Sequence, residues 1–180
     1  MSSETAVLIE DETDLLLFPP LRSGWALKGE PALVLLSGFN ARRVTFGAMN
    51  LRTGKRLFLV RGHQRSADFQ VFLKALRKQY DNRPIALLLD EDTSHTAKAS
   101  VLLAKQLGIT LIWLPKRSPE LNPMDTLWGQ AKDLLNANRQ YTTIDKQAAR
   151  FIACLRSLPD QEALRMAGVL SGNFWLRNVL

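Results

Sequence analysis

Two short, almost uninterrupted apolar segments constrain the fold most strongly, "IALLLD" at residues 85–90 and "ITLIWLP" at residues 109–115. Apolar runs of this length, without polar alternation, are typical of strands that helices bury on both faces. Between them, "TAKASVLLAKQLG" has the pattern of a helix closed by Gly108. The order strand, helix, strand predicts an α/β fold built around parallel strands.

The residues before and after this unit complete the predicted sheet and its helical cover. Four segments with turn residues between them read as an antiparallel meander of three or four strands: "AVLIEDETDLLLF", "PALVLLSGF", "RRVTFGAMN" and "RLFLVRG". Ser66 is expected to cap a helix, another helix is expected at about 122–138, and residues 140–180 read as a helical extension. We therefore predict one domain over residues 1–180, with a mixed five-stranded sheet and helices on both faces.

Cysteine content and hydropathy exclude several classes of protein. The single Cys154 rules out a disulfide framework and a cysteine-based zinc cluster, so a metal would be held by oxygen or imidazole ligands. No apolar run reaches the roughly 18 to 20 residues that span a bilayer, and the first residues lack the pattern of a signal peptide. The sequence predicts a soluble, cytoplasmic protein.

The net charge of +7 is concentrated in one part of the chain. Residues 1–20 carry five acids and no base, whereas residues 21–79 carry twelve Lys/Arg and two acids. A basic segment of this kind favours a polyanion such as nucleic acid, because each phosphate contact releases counterions. A solvated basic surface would have the same composition, so the charge alone does not decide between the two.

Three aspartates occupy positions where a carboxylate is unexpected. Strand alternation places Asp11 on the apolar side of the first strand, and a carboxylate there is costly unless it is paired or bound to a metal. Asp90 ends a buried strand, where it is either a helix cap or a site residue. Asp125 lies in the first turn of a predicted helix, where it either complements the helix dipole or belongs to a site.

The loop "LPKRSPELNPMDTLW", residues 114–128, is more rigid than a simple connection requires. Pro119 and Pro123 fix the backbone, and Asn122 is a candidate helix cap just before Asp125. Three carboxylates at one edge of the sheet suit Mg²⁺ or Mn²⁺, which take oxygen ligands. Two such ions about 3.5 to 4 Å apart support phosphodiester chemistry. The basic flank agrees with a nucleic-acid substrate.

At these residues the sequence resembles the catalytic domain of mariner-type DDE/D transposases and their bacterial insertion-sequence relatives, in the ribonuclease H-like superfamily of the retroviral integrases. Two motifs carry part of the resemblance, Asp11-Glu12 followed by Gly24, Trp25 and Gly29, and Asp90 followed five residues later by His95. The third motif is the most specific: Leu114, Pro115, Ser118, Pro119, Leu121, Asn122, Pro123, Asp125 and Trp128. Thirty-four residues lie between Asp90 and Asp125, the spacing of the mariner pattern with Asp as third acid.

The resemblance covers roughly residues 5–140 and implies a ribonuclease H-like fold. It implies an enzyme that cleaves DNA at element ends and transfers the strands into target DNA. The implied cofactor is Mg²⁺ or Mn²⁺, bound as two ions. The resemblance implies Asp11, Asp90 and Asp125 as catalytic metal ligands, with two ions bridged by Asp11 and Asp90. Lys116 and Arg117 are candidate phosphate contacts, or a solvated pair. His95 is expected to approach the DNA, to position the second acid, or to begin a helix without further role.

The resemblance also implies partners. Members of the family act on transposon ends and target DNA as homodimers or synaptic assemblies, which would associate this chain with the bacterial nucleoid. Trp25, Trp113 and Trp128 are expected to support the core or loops rather than stack on bases. The final segment "FWLRNVL" is either a docking tail or a dimer contact.

Two departures from the family pattern affect these expectations. Glu91 stands where the family often has Asn, which would alter the charge or geometry of the metal site. The first predicted strand begins almost at the first residue, so the usual helix-turn-helix domain is expected to be absent and a separate DNA-binding subunit to replace it. Two alternatives to a transposase stay open: a stand-alone ribonuclease H-like nuclease, and a DNA-binding transposase remnant without catalysis.

Overall fold

The computed structural model describes residues 4–178. Its five strands form one sheet in the order β3-β2-β1-β4-β5. The strands are β1 (Ala6–Leu16), β2 (Arg42–Asn50), β3 (Arg56–Arg61), β4 (Ile85–Leu89) and β5 (Ile109–Trp113). The meander β1-β2-β3 is antiparallel, whereas β1, β4 and β5 run parallel. The predicted mixed sheet is confirmed.

The central strand β1 is much longer than its parallel neighbour. β4 pairs with β1 only from Ala6 to Ile9, whereas β2 pairs with β1 from Leu8 to Leu16. From Glu10 onward, one edge of β1 therefore lies beyond the end of β4. This edge is at the carboxyl ends of the parallel strands, which is where α/β sheets bind ligands.

Six α-helices surround the sheet. They are α1 (Ser66–Tyr80), α2 (Thr93–Thr96), α3 (Lys98–Gln106), α4 (Pro123–Leu135), α5 (Ile144–Ser157) and α6 (Asp160–Met166), with a short 3₁₀ helix at Pro119–Leu121. α1 begins at Ser66, but Arg65 occupies the cap position and makes no side-chain cap bond, so the expectation of a Ser66 cap was wrong. α5 and α6 form the expected helical part of the C-terminal region.

Each face of the sheet has its own apolar core, because alternate side chains of β1 point to opposite sides. On one side, Leu8 packs with the buried stripe of α1 that contains Phe69, Phe72 and Leu76. On the other side, Ile9 packs with residues of α4, α5 and α6. The apolar residues of α1 recur at helical spacing, which places them together on its buried face.

Trp128 of α4 is the largest side chain of the second core. It is 2% exposed and its ring lies 5.6 Å from that of Phe58 and 6.0 Å from that of Phe151, as centroids. A Cβ atom on Gly47 of β2 would come within 2.5 Å of the Trp128 ring, so the absence of a side chain allows α4 to approach the sheet. The supporting role expected for Trp128 agrees with this packing.

The connection between β1 and β2 differs from the prediction. Residues 31–39 are irregular and largely exposed, although "PALVLLSGF" was expected to form a strand. The sheet order β3-β2-β1-β4-β5 does not include this segment, which pairs with none of these strands. Trp25 is fully exposed rather than supporting a core, and the expectation for this residue was wrong.

The C-terminal segment docks onto the loop that precedes α4. The indole Nε1 of Trp175 donates a hydrogen bond to the carbonyl of Leu121 at 3.0 Å, and Phe174 packs against the second core. Of the two roles considered for "FWLRNVL", the described part of the segment makes an intramolecular contact; its last two residues lie outside the described range. None of the helices in residues 4–178 is long and apolar enough to cross a membrane.

Candidate active site and metal centre

A cleft of about 220 Å³ at the carboxyl edge of the parallel strands contains all three predicted acids. Asp11 comes from β1, Asp90 follows β4, and Asp125 lies in the first turn of α4. The rest of the lining comes from the loop after β5 and from Asn122. A wider cleft of about 890 Å³ lies at the opposite end of the sheet, around Asn50 and Tyr80, away from these acids.

Asp11 occupies the most unfavourable position for a negative charge. It lies on the same side of β1 as Ile9, as the alternation predicted, and it is half-buried. Burial is the main cause that raises its pKa to about 8, and the neighbouring carboxylates of Glu12, Asp125 and Asp90 raise it further. A cation among these acids would reverse the effect and favour the ionised form. The arrangement therefore fits a divalent metal.

Asp90 is held in a defined orientation by two hydrogen bonds. Its Oδ1 accepts one from the backbone N–H of Asp92 at 3.0 Å and one from Nδ1 of His95 at 2.9 Å. The hydrogen bond from His95 is the main cause that lowers the pKa of Asp90. The cap of α2 is Asp92, whose side chain accepts from the backbone N–H of Ser94 at 2.8 Å. The alternative role considered for Asp90, a helix cap, thus belongs to its neighbour.

Asp125 is positioned by the cap of its helix. The side-chain oxygen of Asn122 accepts from the backbone N–H of Met124 at 3.0 Å, as predicted for a cap. The side-chain nitrogen of Asn122 also donates to the carbonyl of Glu10 at 3.0 Å. Because Glu10 immediately precedes Asp11, this one side chain fixes the start of α4 against the strand that carries the first acid. The second hydrogen bond was not foreseen from the sequence.

His95 lies at the centre of a buried cluster on the other side of β1. Its Nε2 is 2.8 Å from Oε1 of Glu12 and 3.5 Å from Oε2 of Glu10, and its ring centroid is 4.4 Å from that of Phe69. Burial alone would lower the pKa of His95, but the carboxylates of Glu10, Asp90 and Glu12 outweigh it and raise this pKa to about 12. The raised pKa favours the imidazolium form, which can donate from both ring nitrogens to the carboxylates that they face.

The burial of His95 bears on the roles considered for it. The residue is 1% exposed and both ring nitrogens face carboxylates, so the side chain does not reach a surface where DNA could contact it. Its contact with Asp90 agrees instead with positioning the second acid. The donor atoms of Glu10, Glu12 and His95 lie within 4.8 Å of one another, close enough for a metal. A hydrogen bond from the ring of His95 explains its short distance to Glu12, and a metal is not needed to explain that distance.

Glu10 is a residue of this cluster whose burial the sequence analysis missed. It is 1% exposed, neither carboxylate oxygen has a hydrogen-bond partner, and burial raises its pKa well above the ordinary value. The available signal was its position on the same side of β1 as Leu8, since that side also faces a core. A positive charge on His95 would compensate for the burial of the Glu10 carboxyl group, and the local sequence around Glu10 does not reveal this partner.

The two basic candidates lie at the rim of the acidic cleft. Arg117 is exposed, lines the cleft and has a positive φ of 59°, which turns the loop sharply at this point. Lys116 is also exposed, and its Nζ lies 3.0 Å from Oε2 of Glu91. Glu91, the departure from the family pattern, follows β4 and thus forms an ion pair with a base that follows the adjacent strand β5.

Comparison with known proteins identifies relatives for most of the chain. The family described as DDE superfamily endonuclease matches residues 6–148. An uncharacterized 39 kDa protein of insertion element IS630 from Shigella sonnei is 29% identical over 145 residues, which are 79% of this chain and 42% of that protein. The Tc3 transposase of Caenorhabditis elegans is 26% identical over 142 residues, 76% of this chain and 43% of that protein. The chain thus spans less than half the length of these two relatives.

Solved structures with the same fold include complexes of a mariner transposase. The catalytic domain of Mos1 mariner transposase has a TM-score of 0.64 at 15% identity, covering 92% of this chain and 76% of that chain. The Mos1 paired-end complex with Mg has a TM-score of 0.70 at 18% identity, covering 90% of this chain and 51% of that chain. At these identities the likeness concerns the fold, and it confirms the expected ribonuclease H-like architecture.

Proposed function

The chain belongs to the DDE superfamily endonucleases, and from this premise we propose that it cleaves DNA and transfers the cut strand through a triad of Asp11, Asp90 and Asp125. The observation that carries the proposal is their shared cleft, although they are far apart in the sequence. Membership of the family makes the chain a nuclease or transposase-type enzyme. The residues that act, the metal and the strand-transfer step are our proposal.

A pair of Mg²⁺ or Mn²⁺ ions fits the donor set of this cleft. When bound, such ions supply an activated water or hydroxyl and stabilise the leaving oxygen. Asp11, Asp90 and Asp125 would hold the ions through their carboxylate oxygens. The raised pKa of Asp11 supports this assignment, because three close carboxylates need a cation to stay ionised together.

The other residues of the site orient the acids and the DNA. Asn122 holds α4 against β1, and His95 holds Asp90 through Nδ1. Lys116 and Arg117 are proposed to bind phosphates of the DNA strand at the rim, where both side chains are exposed. Opposite charges on the two sides of the cleft would place a phosphodiester next to the metal ligands.

The assembly around this chain is also a proposal. Because the relatives are more than twice as long as the matched region, recognition of element ends belongs to a further DNA-binding domain or subunit. Solved Mos1 structures described as paired-end complexes suggest a dimer or synaptic assembly on transposon ends and target DNA. We place this activity at DNA in the bacterial cytosol, at the nucleoid.

Replacement of a metal ligand tests the proposed function. Asp125→Asn keeps the size of the side chain but removes its charge, so Mn²⁺- or Mg²⁺-dependent nicking of plasmid DNA should fall at least about 100-fold, since losing even an outer partner of a metal site costs about 10- to 100-fold. Asp90→Asn should have the same effect. Agarose-gel assays of supercoiled DNA at fixed metal concentration measure the rate.

Asp145→Asn is the matched control, because Asp145 is the first-turn acid of α5 and is exposed, in a pair with Arg43. Both variants lose the same helix-dipole interaction, but only Asp125 lies in the cleft. Equal nicking by the two variants would show that Asp125 merely complements its helix. Undiminished nicking by Asp90→Asn or Asp125→Asn would remove the triad assignment.

A further inference from the structure

A third cleft, of about 310 Å³, lies next to the acidic site along the open edge of β1. We call it the β1–α4 cleft; its lining residues are Asp14, Leu16, Phe18, Pro19, Pro20, Lys132 and Asn136. Its volume falls at the small end of the ~300 to 1,000 Å³ range of small-ligand pockets. Its aromatic and polar lining residues do not belong to the triad.

Lys132 connects this cleft with the three acids. It lies two turns after Asp125 on α4 and is half-buried, and its electrostatic neighbours are Asp14, Asp125 and Asp11. Burial lowers its pKa despite these acids. Within residues 4–178, no carboxylate lies within 4.0 Å of its ammonium group in an ion pair. A partly desolvated cation without a direct partner is suited to an incoming anion.

Asn136 supplies a second unsatisfied polar group. The residue is 3% exposed and its side-chain Oδ1 is buried without a hydrogen-bond partner. A buried carboxamide of this kind costs free energy unless a ligand or water completes its hydrogen bonds. Its backbone is fixed by the bond from its own N–H to the carbonyl of Lys132 at 2.8 Å. The unpaired Oδ1 therefore belongs to a side chain that is held at one place in the cleft lining.

The apolar wall of the cleft is anchored to the end of α4. Phe18 is 37% exposed and is followed by two prolines, which restrict the backbone. The backbone N–H of Asn138 donates to the carbonyl of Pro20 at 3.0 Å, and the side chain of Asn138 bonds both the N–H and the carbonyl of Arg22. These bonds hold the wall next to α4, so that the cleft is formed without a ligand.

We propose that the β1–α4 cleft binds one unpaired nucleotide of the DNA strand whose phosphodiester lies at the triad. Lys132 contacts the phosphate on the side nearest the acids, Phe18 stacks on the base, and Asn136 bonds the edge of the base. Stacking on an aromatic ring accepts any base, and a carboxamide adds a preference through hydrogen bonds. The inference rests on the proposed function only in taking DNA to occupy the acidic site.

Photochemical cross-linking locates the base directly. The full chain is mixed with a thymidylate oligonucleotide that carries one 5-iododeoxyuridine, irradiated at saturating oligonucleotide, and digested for peptide mapping by mass spectrometry. The expected result is a cross-link on the peptide that contains Phe18. Phe18→Leu should abolish this cross-link and weaken binding about tenfold, as loss of one stacked base does. Phe39→Leu, at another exposed aromatic residue of the same connection, should leave both unchanged.

The salt dependence of binding tests the phosphate contact. Lys132→Gln should reduce the slope of log K against log salt by about 0.7, the value for one phosphate of a single strand. Lys105→Gln, at an exposed lysine in the last turn of α3, should leave the slope as in the wild type. Thermal melting of each variant verifies its fold. An unchanged slope for Lys132→Gln, or cross-links found only outside the β1–α4 cleft, overturns the proposal.

The result is separable from the test of the triad. Nicking that depends on Asp125, together with no cross-link at Phe18, would leave the proposed function standing and remove the nucleotide site. A cross-link at Phe18 that is sensitive to Phe18→Leu, in a chain that nicks no DNA, would support the nucleotide site and count against the proposed cleavage. Both measurements use the same preparation of the chain.

Discussion

Asp11 combines two properties at the residue scale that an ordinary surface carboxylate does not have. It lies beside an apolar face of β1, and its pKa is raised to about 8 by burial and by the acids around it. Without a cation, a carboxyl group in this position is largely protonated at neutral pH. A bound divalent ion would compete with that proton, since metal ligands bind in their deprotonated form. Proton binding and metal binding at this residue are thus linked.

This linkage predicts how metal stabilisation changes with pH. The ordinary pKa of the group is 3.8 and the folded value is about 8, so between these values the folded chain holds a proton that the unfolded chain has released. The contribution of Asp11 to the free energy of unfolding therefore falls as pH rises through this window. Added Mg²⁺ should raise the melting temperature more at pH 8 than at pH 5.5.

Differential scanning fluorimetry at the two pH values measures this effect, with the metal concentration held constant. Asp11→Asn cannot bind the proton, so its metal-dependent shift should be smaller and should vary less between the two pH values. A shift of the same size at pH 5.5 and pH 8 in the unaltered chain would argue against a metal bound at Asp11.

At the scale of elements, the cap of α4 couples two parts of the site. Asn122 caps α4 through Met124 and is bonded to β1 through the carbonyl of Glu10. Loss of a cap alone costs about 0.5 to 2 kcal/mol of stability. Loss of the bond to β1 also frees the helix that carries Asp125 from the strand that carries Asp11. The distance between the first and third acids depends on this side chain.

Asn122→Ala should therefore reduce activity more than its loss of stability explains. We expect a loss of about 1 to 2 kcal/mol in the free energy of unfolding, and a fall in nicking rate of about tenfold or more from misplaced metal ligands. Thr143→Ala is the comparison, because Thr143 caps α5 by accepting from the N–H of Lys146 and lies outside the cleft. Urea titration and the nicking assay, on both variants, measure the two effects.

Similar nicking rates in Asn122→Ala and Thr143→Ala, at similar stability, would mean that the bond to Glu10 does not position the third acid. The sequence predicted the cap, because Asn before Pro is a local signal of a helix start. The sequence did not predict the bond to Glu10, because that bond joins residues 112 positions apart and depends on the sheet register. Local patterns therefore identified the element, and tertiary packing determined its partner.

The same difference between local and long-range information applies to the strands. "IALLLD" and "ITLIWLP" were identified because strands buried on both faces need apolar residues at every position. "PALVLLSGF" has a comparable composition but is irregular and pairs with no strand of the sheet. Whether an apolar segment becomes a strand thus depends on a neighbour, which composition does not reveal.

At the scale of the whole molecule, exposed apolar residues are concentrated in the connection between β1 and β2. Leu33, Leu35 and Phe39 are each more than three-quarters exposed there, together with Trp25. Aromatic residues are usually buried, and this general preference led to the wrong expectation for Trp25. Whether a residue is buried or exposed depends on the complete sheet topology. The residues near Trp25 do not determine that topology.

The three acids that share the cleft could be selected from the sequence because each one violates a local rule: a charge on an apolar strand face, an acid after a buried strand, and an acid behind a rigid loop. The buried cluster of Glu10, Glu12 and His95 was not, since its compensation comes from residues more than 80 positions apart. His95 was selected from the motif alone, and its burial between carboxylates supports the proposal that it positions Asp90.

The most direct test of the central claim is a crystal of the chain soaked with Mn²⁺ and measured for anomalous scattering. If the three aspartates hold the metal, manganese peaks are expected within about 2.0 to 2.6 Å of carboxylate oxygens of Asp11, Asp90 and Asp125. Peaks at the cluster of Glu10, Glu12 and His95, or elsewhere with none at the three aspartates, would contradict it.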